Sequence, residues 1–288
     1  MQPTLIHHEP KSRNWSNLFG RVFDKLFYVV LLLALVAFFN YLYSYRDSMM
    51  ILLPYLLQGS AVTIFLSLVS MVLATIFGFI GALGRLSRIA VLRWIATIYV
   101  EVVRGTPILV QLLLWVFGIS SVFSQLGFDP HDVAYNIMTV LQNNSLVPNE
   151  FNFIFYGILG LSFNYGAYLT EVFRTGIESI QKGQTEAALS LGLNSRQIMR
   201  RIILPQAIRI TIPPFTNYFI TLVQDSALLS TFGVIELELA TSSSANAIQT
   251  NGSLKLFIYI YGALFYLAIC YPLALLARYL EARMAVAY

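Results

Sequence analysis

Apolar residues along this chain come in long runs rather than in alternating stripes. Six of the runs approach or exceed the roughly 20 residues that a helix needs to cross the hydrocarbon core of a bilayer. They are 27–45, 56–83, 94–122, 153–173, 211–232 and 255–277. The second and third are longer than one crossing, which predicts tilt or a start outside the bilayer. The pattern predicts an all-α polytopic membrane protein with six transmembrane helices. The first run starts near Leu26, is as long as a full span and is followed by no small-residue cleavage site, so a retained anchor is expected rather than a cleaved signal.

Composition agrees: 57% of residues are hydrophobic and 11% charged, against about a quarter charged in soluble chains. The net charge of +4 does not point to nucleic acid, because the basic residues fall in short clusters between apolar runs. Lys11, Arg13, Arg21 and Lys25 precede the first run, Arg85, Arg88 and Arg93 follow the second, and Arg278 and Arg283 close the last. Between the fourth and fifth runs lie Lys182, Arg196, Arg200, Arg201 and Arg209, with Arg174 at the membrane edge. The alternate connections hold only Arg46 and Lys255, beside Asp47, Asp129, Asp132, Glu150, Glu236 and Glu238. Since positive residues stay inside, both termini and the fourth connection are expected in the cytoplasm.

Cys270 lies alone in an apolar run, which excludes a disulfide framework and suits packing. His7-His8-Glu9 lacks the spacing of a zinc-binding helix, and no metal site is expected. Residues 123–152 carry no Lys or Arg and include Pro130 and Pro148, so they read as an external segment, either a solvated loop or a surface for a soluble partner. Thr241–Ser244 and Asn251-Gly252-Ser253 read as an external linker. Gly78, Gly81, Gly84, Gly157 and Gly160 suit close helix packing, and the 17 Tyr and 21 Phe do not by number alone imply a stacking site.

The connection at about 176–205 is polar and basic within an apolar protein. Gln184 to Leu191 form a short helical run stopped by Gly192, which suits the left-handed position after a helix. Asn194 is placed to cap a second short helix with Gln197 as its capping-box partner, and Pro205 fits the first turn of the helix after that. Ala187 and Ala188 keep the first helix narrow, so that another protein's backbone can approach it. For Glu186-Ala187-Ala188 alone, a surface helix-turn-helix without a partner would be preferred. The whole pattern from Glu186 through Gly192 to Ile202-x-Leu204-Pro205, set between two spans, favours a coupling hairpin.

Three charges lie in or beside the runs, where an unpaired one costs about 3 kcal/mol on insertion scales. Glu101 and Arg104 are three apart and can pair on one helix face, either as an interfacial anchor or in a pathway. Gly105-Thr106-Pro107 follows and predicts a kink or the start of a new helix. Asp225, with Gln224 and Ser226 beside it, falls near mid-membrane and is either a pathway or gate group or an interhelical hydrogen-bond acceptor.

The hairpin, together with Glu101-Val-Val-Arg104-Gly105-Thr106-Pro107-Ile-Leu-Val-Gln111 and Gln224-Asp225-Ser226-Ala227-Leu228, resembles the polar amino acid permease family of bacterial ATP-binding-cassette (ABC) importers, from about Pro54 to Arg283. Many such permeases have five spans, so 1–26 reads as a cytoplasmic tail, 27–53 as an additional helix with an external loop, 54–283 as the importer transmembrane domain and 284–288 as a cytoplasmic tail. The resemblance implies a type I importer of the cytoplasmic (inner) membrane: two permease chains, identical or related, a cytoplasmic ATPase dimer and an extracytoplasmic amino acid-binding protein. It assigns Glu178, Lys182, Gly183, Glu186, Ala187, Ala188, Leu191, Gly192, Leu193 and Arg196 to the ATPase interface, and Gln224, Asp225, Ser226, Glu101 and Arg104 to the translocation pathway or gate. Transport would proceed by alternating access, with polar amino acids as cargo.

The chain has no Gly-x4-Gly-Lys-Ser/Thr loop, so ATP and Mg are expected on the partner ATPase and no cofactor on this chain. An intramembrane enzyme would need paired carboxylates, a Ser/Lys pair or a His cluster within spans, and the runs offer none; the chain itself is not expected to be catalytic. A channel would leave the hairpin without a purpose, and a secondary transporter should carry inverted repeats, which are not evident. These two, working without an ATPase, are the alternatives.

Overall fold

In a computed structural model the backbone is described for residues 15–127, 154–248 and 251–285, and every described element is helical. The chain divides into two units, Met1–Ile51 and Leu52–Tyr288. The first holds α1 (Trp15–Ser44), whose apolar stretch Lys25–Ser44 has no buried residue in it. Such all-round apolar exposure belongs to a helix facing lipid. The helix starts at Trp15, within the segment expected as the amino-terminal tail, and its apolar stretch starts at Lys25.

The expected external loop up to residue 53 is also helical: only Tyr45 separates α1 from α2 (Arg46–Arg85), a single helix of 40 residues. Its charged start was read as loop, but Asp47 in the first turn complements the helix dipole. The expected single span at 94–122 is instead α3 (Ala90–Arg104) and α4 (Ile108–Leu113), with a 110° bend between them; α4 continues through the π-turn Leu114–Ile119 into α5 (Ser120–Gln125). Pro107 has no N–H and drives Thr106 out of the helical region, which forces the break. The expectations for the external segment beyond its first residues lie outside the described residues.

At the centre of the second unit is α6 (Ile154–Glu178), buried along most of its length against α3, α4 and α9. After it come α7 (Lys182–Ser190), α8 (Ser195–Ile198), the π-turn Met199–Ile203 and α9 (Leu204–Asp225). A 3₁₀ turn, Ser226–Phe232, left-handed Gly233 and a 50° bend lead to α10 (Leu237–Asn246), and α11 (Gly252–Ala285) ends the described chain. Thr241–Ser244 therefore lie in a helix, not in a linker. The hydroxyls of Thr241 and Ser244 donate to carbonyls one turn back, Thr241 to Leu237 O at 2.7 Å and Ser244 to Ala240 O at 2.7 Å.

Among the described residues three helices, α1, α2 and α11, are long and apolar enough to cross a membrane, or up to five spans if each bent pair counts as one. The stretch expected as the fourth span is helical, as α6, but is not among these helices; much of it is buried, including the polar Ser162, Asn164 and Thr170. Small residues bring the helices together where lipid removes the hydrophobic drive for association: Gly78 and Gly81 of α2 sit on Leu169 and Thr170 of α6, and Gly157 and Gly160 on Leu229 and Leu112.

Candidate functional site

The hairpin between α6 and α9 has the shape its residues predict. Gly192 adopts φ +79, a left-handed value that penalises any Cβ, and ends α7 where Leu193 N–H donates to Ala188 O at 3.1 Å. Asn194 Oδ1 accepts from Gln197 N–H at 3.0 Å while Gln197 Oε1 accepts from Asn194 N–H at 2.9 Å, a complete capping box. Pro205 occupies the first turn of α9. Gln206 Nε2 donates to Gln184 Oε1 at 2.6 Å and ties α7 to α9.

Glu186, Ala187 and Arg196 face outward, and Leu191 is 81% exposed. Lys182 and Gly183 are exposed, and a Cβ on Gly183 would meet nothing within 4 Å. Leu193 is half-buried. Ala188 departs from the expectation: it is buried, so of the two alanines only Ala187 thins the outer face.

Glu178 is held by Arg174 one turn earlier, and it closes a chain of charges that the sequence analysis missed. Arg174 Nε lies 2.5 Å from Glu171 Oε2, Glu171 Oε1 lies 3.1 Å from Arg85 Nη2, and Arg85 Nη1 lies 3.9 Å from Glu101. The chain joins α3, α2 and α6 and ends at the start of the hairpin. Its signal was present, since Glu171, Arg174 and Glu178 share one helix face by spacing, whereas the partnership with Arg85 is long-range.

The expected pairing of Glu101 with Arg104 is not formed. Glu101, 71% exposed, turns to Arg85, and the Arg104 guanidinium lies over the Tyr168 ring at 5.4 Å. Arg104 is the last residue of α3, where the bend turns it toward α6 and a cation–π contact replaces the ion pair.

Asp225 ends α9 half-buried, and its Oδ2 accepts from Tyr165 Oη at 2.7 Å. Tyr165, Tyr168 and Tyr218 form a cluster with ring centroids 5.3 to 6.4 Å apart. Arg104 and Asp225 are thus brought to one tyrosine cluster, cation at one side and carboxylate at the other, which residue counting alone could not reveal. Gln224 is exposed beside it, while Ser226 is fully buried and donates to Val223 O at 2.8 Å, so its hydroxyl is occupied within its own turn.

Two further polar joints were not anticipated. Gln111 Nε2 reaches Val103 O at 2.7 Å and Thr106 Oγ1 at 2.8 Å, and Asn164 Nδ2 donates to Gln111 Oε1 at 3.1 Å, which pins the α3–α4 break to α6. Glu236, expected in an external loop, is fully buried. It caps α10 by accepting from Leu239 N–H at 2.8 Å and Glu238 N–H at 2.9 Å, and also accepts from Tyr266 Oη at 2.8 Å and Thr63 Oγ1 at 3.3 Å. Among the described residues no cluster of His, Cys, Asp or Glu forms a metal site.

A family profile described as "Binding-protein-dependent transport system inner membrane component" matches residues 74–286. The "Probable amino-acid ABC transporter permease protein YckA" of Bacillus subtilis (strain 168) is 37% identical, over 81% of this chain and 90% of its own length. The "L-cystine transport system permease protein TcyB" of the same organism is 34% identical over 80% of this chain and 87% of its own. A solved structure described as "Crystal structure of an amino acid ABC transporter with histidines" superimposes with a TM-score of 0.65 at 30% identity, covering 82% of this chain and 97% of that one.

Proposed function

The chain belongs to the binding-protein-dependent transport system inner membrane components, the multi-pass permeases of ABC importers, and from that premise we propose that it imports amino acids into the cytoplasm, driven by a separate ATPase. A permease subunit carries its cargo and does not transform it. The observation that carries the reading is the hairpin: a rigid knob, shaped by left-handed Gly192 and a closed capping box, that presents Gly183, Glu186, Ala187 and Leu191 outward.

In this reading α1, α2, the bent pair from α3 to α5, α6, the bent pair of α9 and α10, and α11 are the six spans, with both termini and the hairpin cytoplasmic. Residues 54–283 act as the importer domain, and 27–53 as an addition to it. A cytoplasmic ATPase dimer seats on the hairpin, a second permease chain completes the route, and an extracytoplasmic binding protein delivers the cargo. ATP-driven closure moves the hairpins together, and α6 and α9, which flank the hairpin, carry the motion to Asp225 and the tyrosine cluster. There the Asp225 carboxylate and Arg104 offer opposite charges suited to the ammonium and carboxylate of an amino acid.

The test is purification of the intact complex, identification of its chains by mass, and uptake of radiolabelled amino acids by proteoliposomes with the binding protein outside and ATP inside. Uptake that requires ATP, with an ATPase in the complex, supports the reading. A complex without an ATPase, or uptake indifferent to ATP, overturns it in favour of a secondary transporter or channel.

A further inference from the structure

An apolar groove lies between α2 and α3, floored by Phe163 of α6, with a cavity volume of about 590 Å³. That is within the range of about 300–1,000 Å³ common to sites for small organic ligands. Its walls include Ile80, Leu83, Leu92 and Ile95, all of which are also exposed, so the groove opens sideways from the bundle. The outer face of α3 beside it is apolar too, with Trp94 at 67% and Ile98 at 54% exposure. In a membrane protein such a face meets lipid, and a Trp near a charged turn marks the headgroup level.

The turn at one end of the groove carries basic residues. Ser87 lines it, and Arg93 Nη1 donates to Ser87 O at 3.2 Å, which fixes that guanidinium at the mouth. Arg88 follows Ser87 in the chain, is exposed, and among the described residues has no hydrogen bond or ion pair. The turn 86–93 contains no carboxylate.

From this charge complementarity we propose that the groove is a binding site for an anionic phospholipid: one acyl chain lies along it and the phosphate is held by Arg88 and Arg93. Moving an acyl chain from bulk lipid into an apolar groove gains little, since lipid tails are as apolar as the wall. Selectivity therefore comes from the arginines, whose guanidinium forks match phosphate oxygens. The site requires only that the chain is embedded in a bilayer, and stands or falls independently of the importer reading.

The test is native mass spectrometry of the full chain, with whatever chains accompany it, released from nanodiscs of equal phosphatidylglycerol and phosphatidylcholine. Wild type should retain phosphatidylglycerol preferentially. R88Q/R93Q should lose that preference, by about fivefold per arginine removed, the factor expected for one basic residue at an anionic surface. Both arginines are exposed, so the change spares the packing. Ile80→Trp, which fills the groove from an exposed wall position, should reduce retention of both lipids. Four results overturn the proposal: equal retention of the two lipids by wild type, unchanged preference in R88Q/R93Q, displacement of the lipid by millimolar inorganic phosphate, or a photo-crosslinker at Ile95 that couples to protein rather than lipid.

Discussion

Gly183 lies in the first turn of α7 and Gly192 just past its end, yet glycine serves a different purpose at each. At Gly192 the need is internal: φ +79 strains any side chain, and a β-branched one most. Gly192→Val should therefore cost about 1–3 kcal/mol locally and distort the hairpin while the spans stay folded. The expected result is ATP hydrolysis with lowered uptake per ATP; an unchanged ratio would remove the hairpin from the coupling path. Gly183 has no such need, with an ordinary φ and open space around its Cα. Gly183→Ala should hold or slightly raise thermal stability, whereas Gly183→Trp should weaken ATPase retention on gel filtration if the open space is where the partner sits. Asp225 poses a similar question of what one atom does. Asp225→Asn keeps the shape but removes the charge, and Tyr165→Phe removes only the hydroxyl that donates at 2.7 Å. Bonds to charged groups contribute about 1.5–3 kcal/mol. If Asp225 serves the pathway, Asp225→Asn lowers uptake far more than Tyr165→Phe, with the ATPase still bound; equal and small losses would reduce Asp225 to an interhelical acceptor.

At the scale of elements, the breaks matter more than the helices. Gly105-Thr106-Pro107 announces an interruption by backbone chemistry, and the kink expected there is present, but its 110° size is not written in those residues. Gln111, on the next helix, reaches across the break to the carbonyls of Val103 and Thr106 and ties the two arms together. Replacing Gln111 by Leu strands at least one buried carbonyl and the Asn164 amide, at about 1–3 kcal/mol for each group. The melting temperature in detergent should fall by several degrees, and retention of the wild-type value would mean that these hydrogen bonds do not hold the break together. The same division runs through the fold. Local devices such as the capping box of Asn194, the turn at Gly192 and the glycine contacts of α2 were legible, because each depends on residues within a few positions or on size alone. The charge chain from Glu101 through Arg85 to Glu178, the burial of Glu236 and the meeting of Arg104 with Asp225 at three tyrosines were not, because each joins helices far apart in sequence. Thr241–Ser244 misled for a different reason: hydroxyls that bond back to their own helix look like a polar linker in sequence and behave as small packing residues in the structure.

For the whole molecule the decisive quantity is orientation, because the proposed docking of an ATPase requires the hairpin on the cytoplasmic side. The charge rule supplies a strong prior: the segments read as cytoplasmic carry nearly all the Lys and Arg. The burial of Glu236 does not bear on that asymmetry, since the rule counts basic residues and gives carboxylates little weight. The chain is well suited to a direct measurement, as Cys270 is its single cysteine and is buried. In a Cys270→Ala background, Ser190→Cys places a thiol on the exposed end of α7, and Ser253→Cys places one at the start of α11. A membrane-impermeant maleimide applied to intact cells should label position 253 and not 190, and in inverted vesicles the pattern should reverse. Labelling of position 190 from outside would put the hairpin beyond the reach of any cytoplasmic ATPase and end the coupling assignment, whatever its shape. Labelling of both positions from one side would instead mean that an odd number of crossings is missing between them, and would reopen whether the bent pair α9–α10 spans the bilayer.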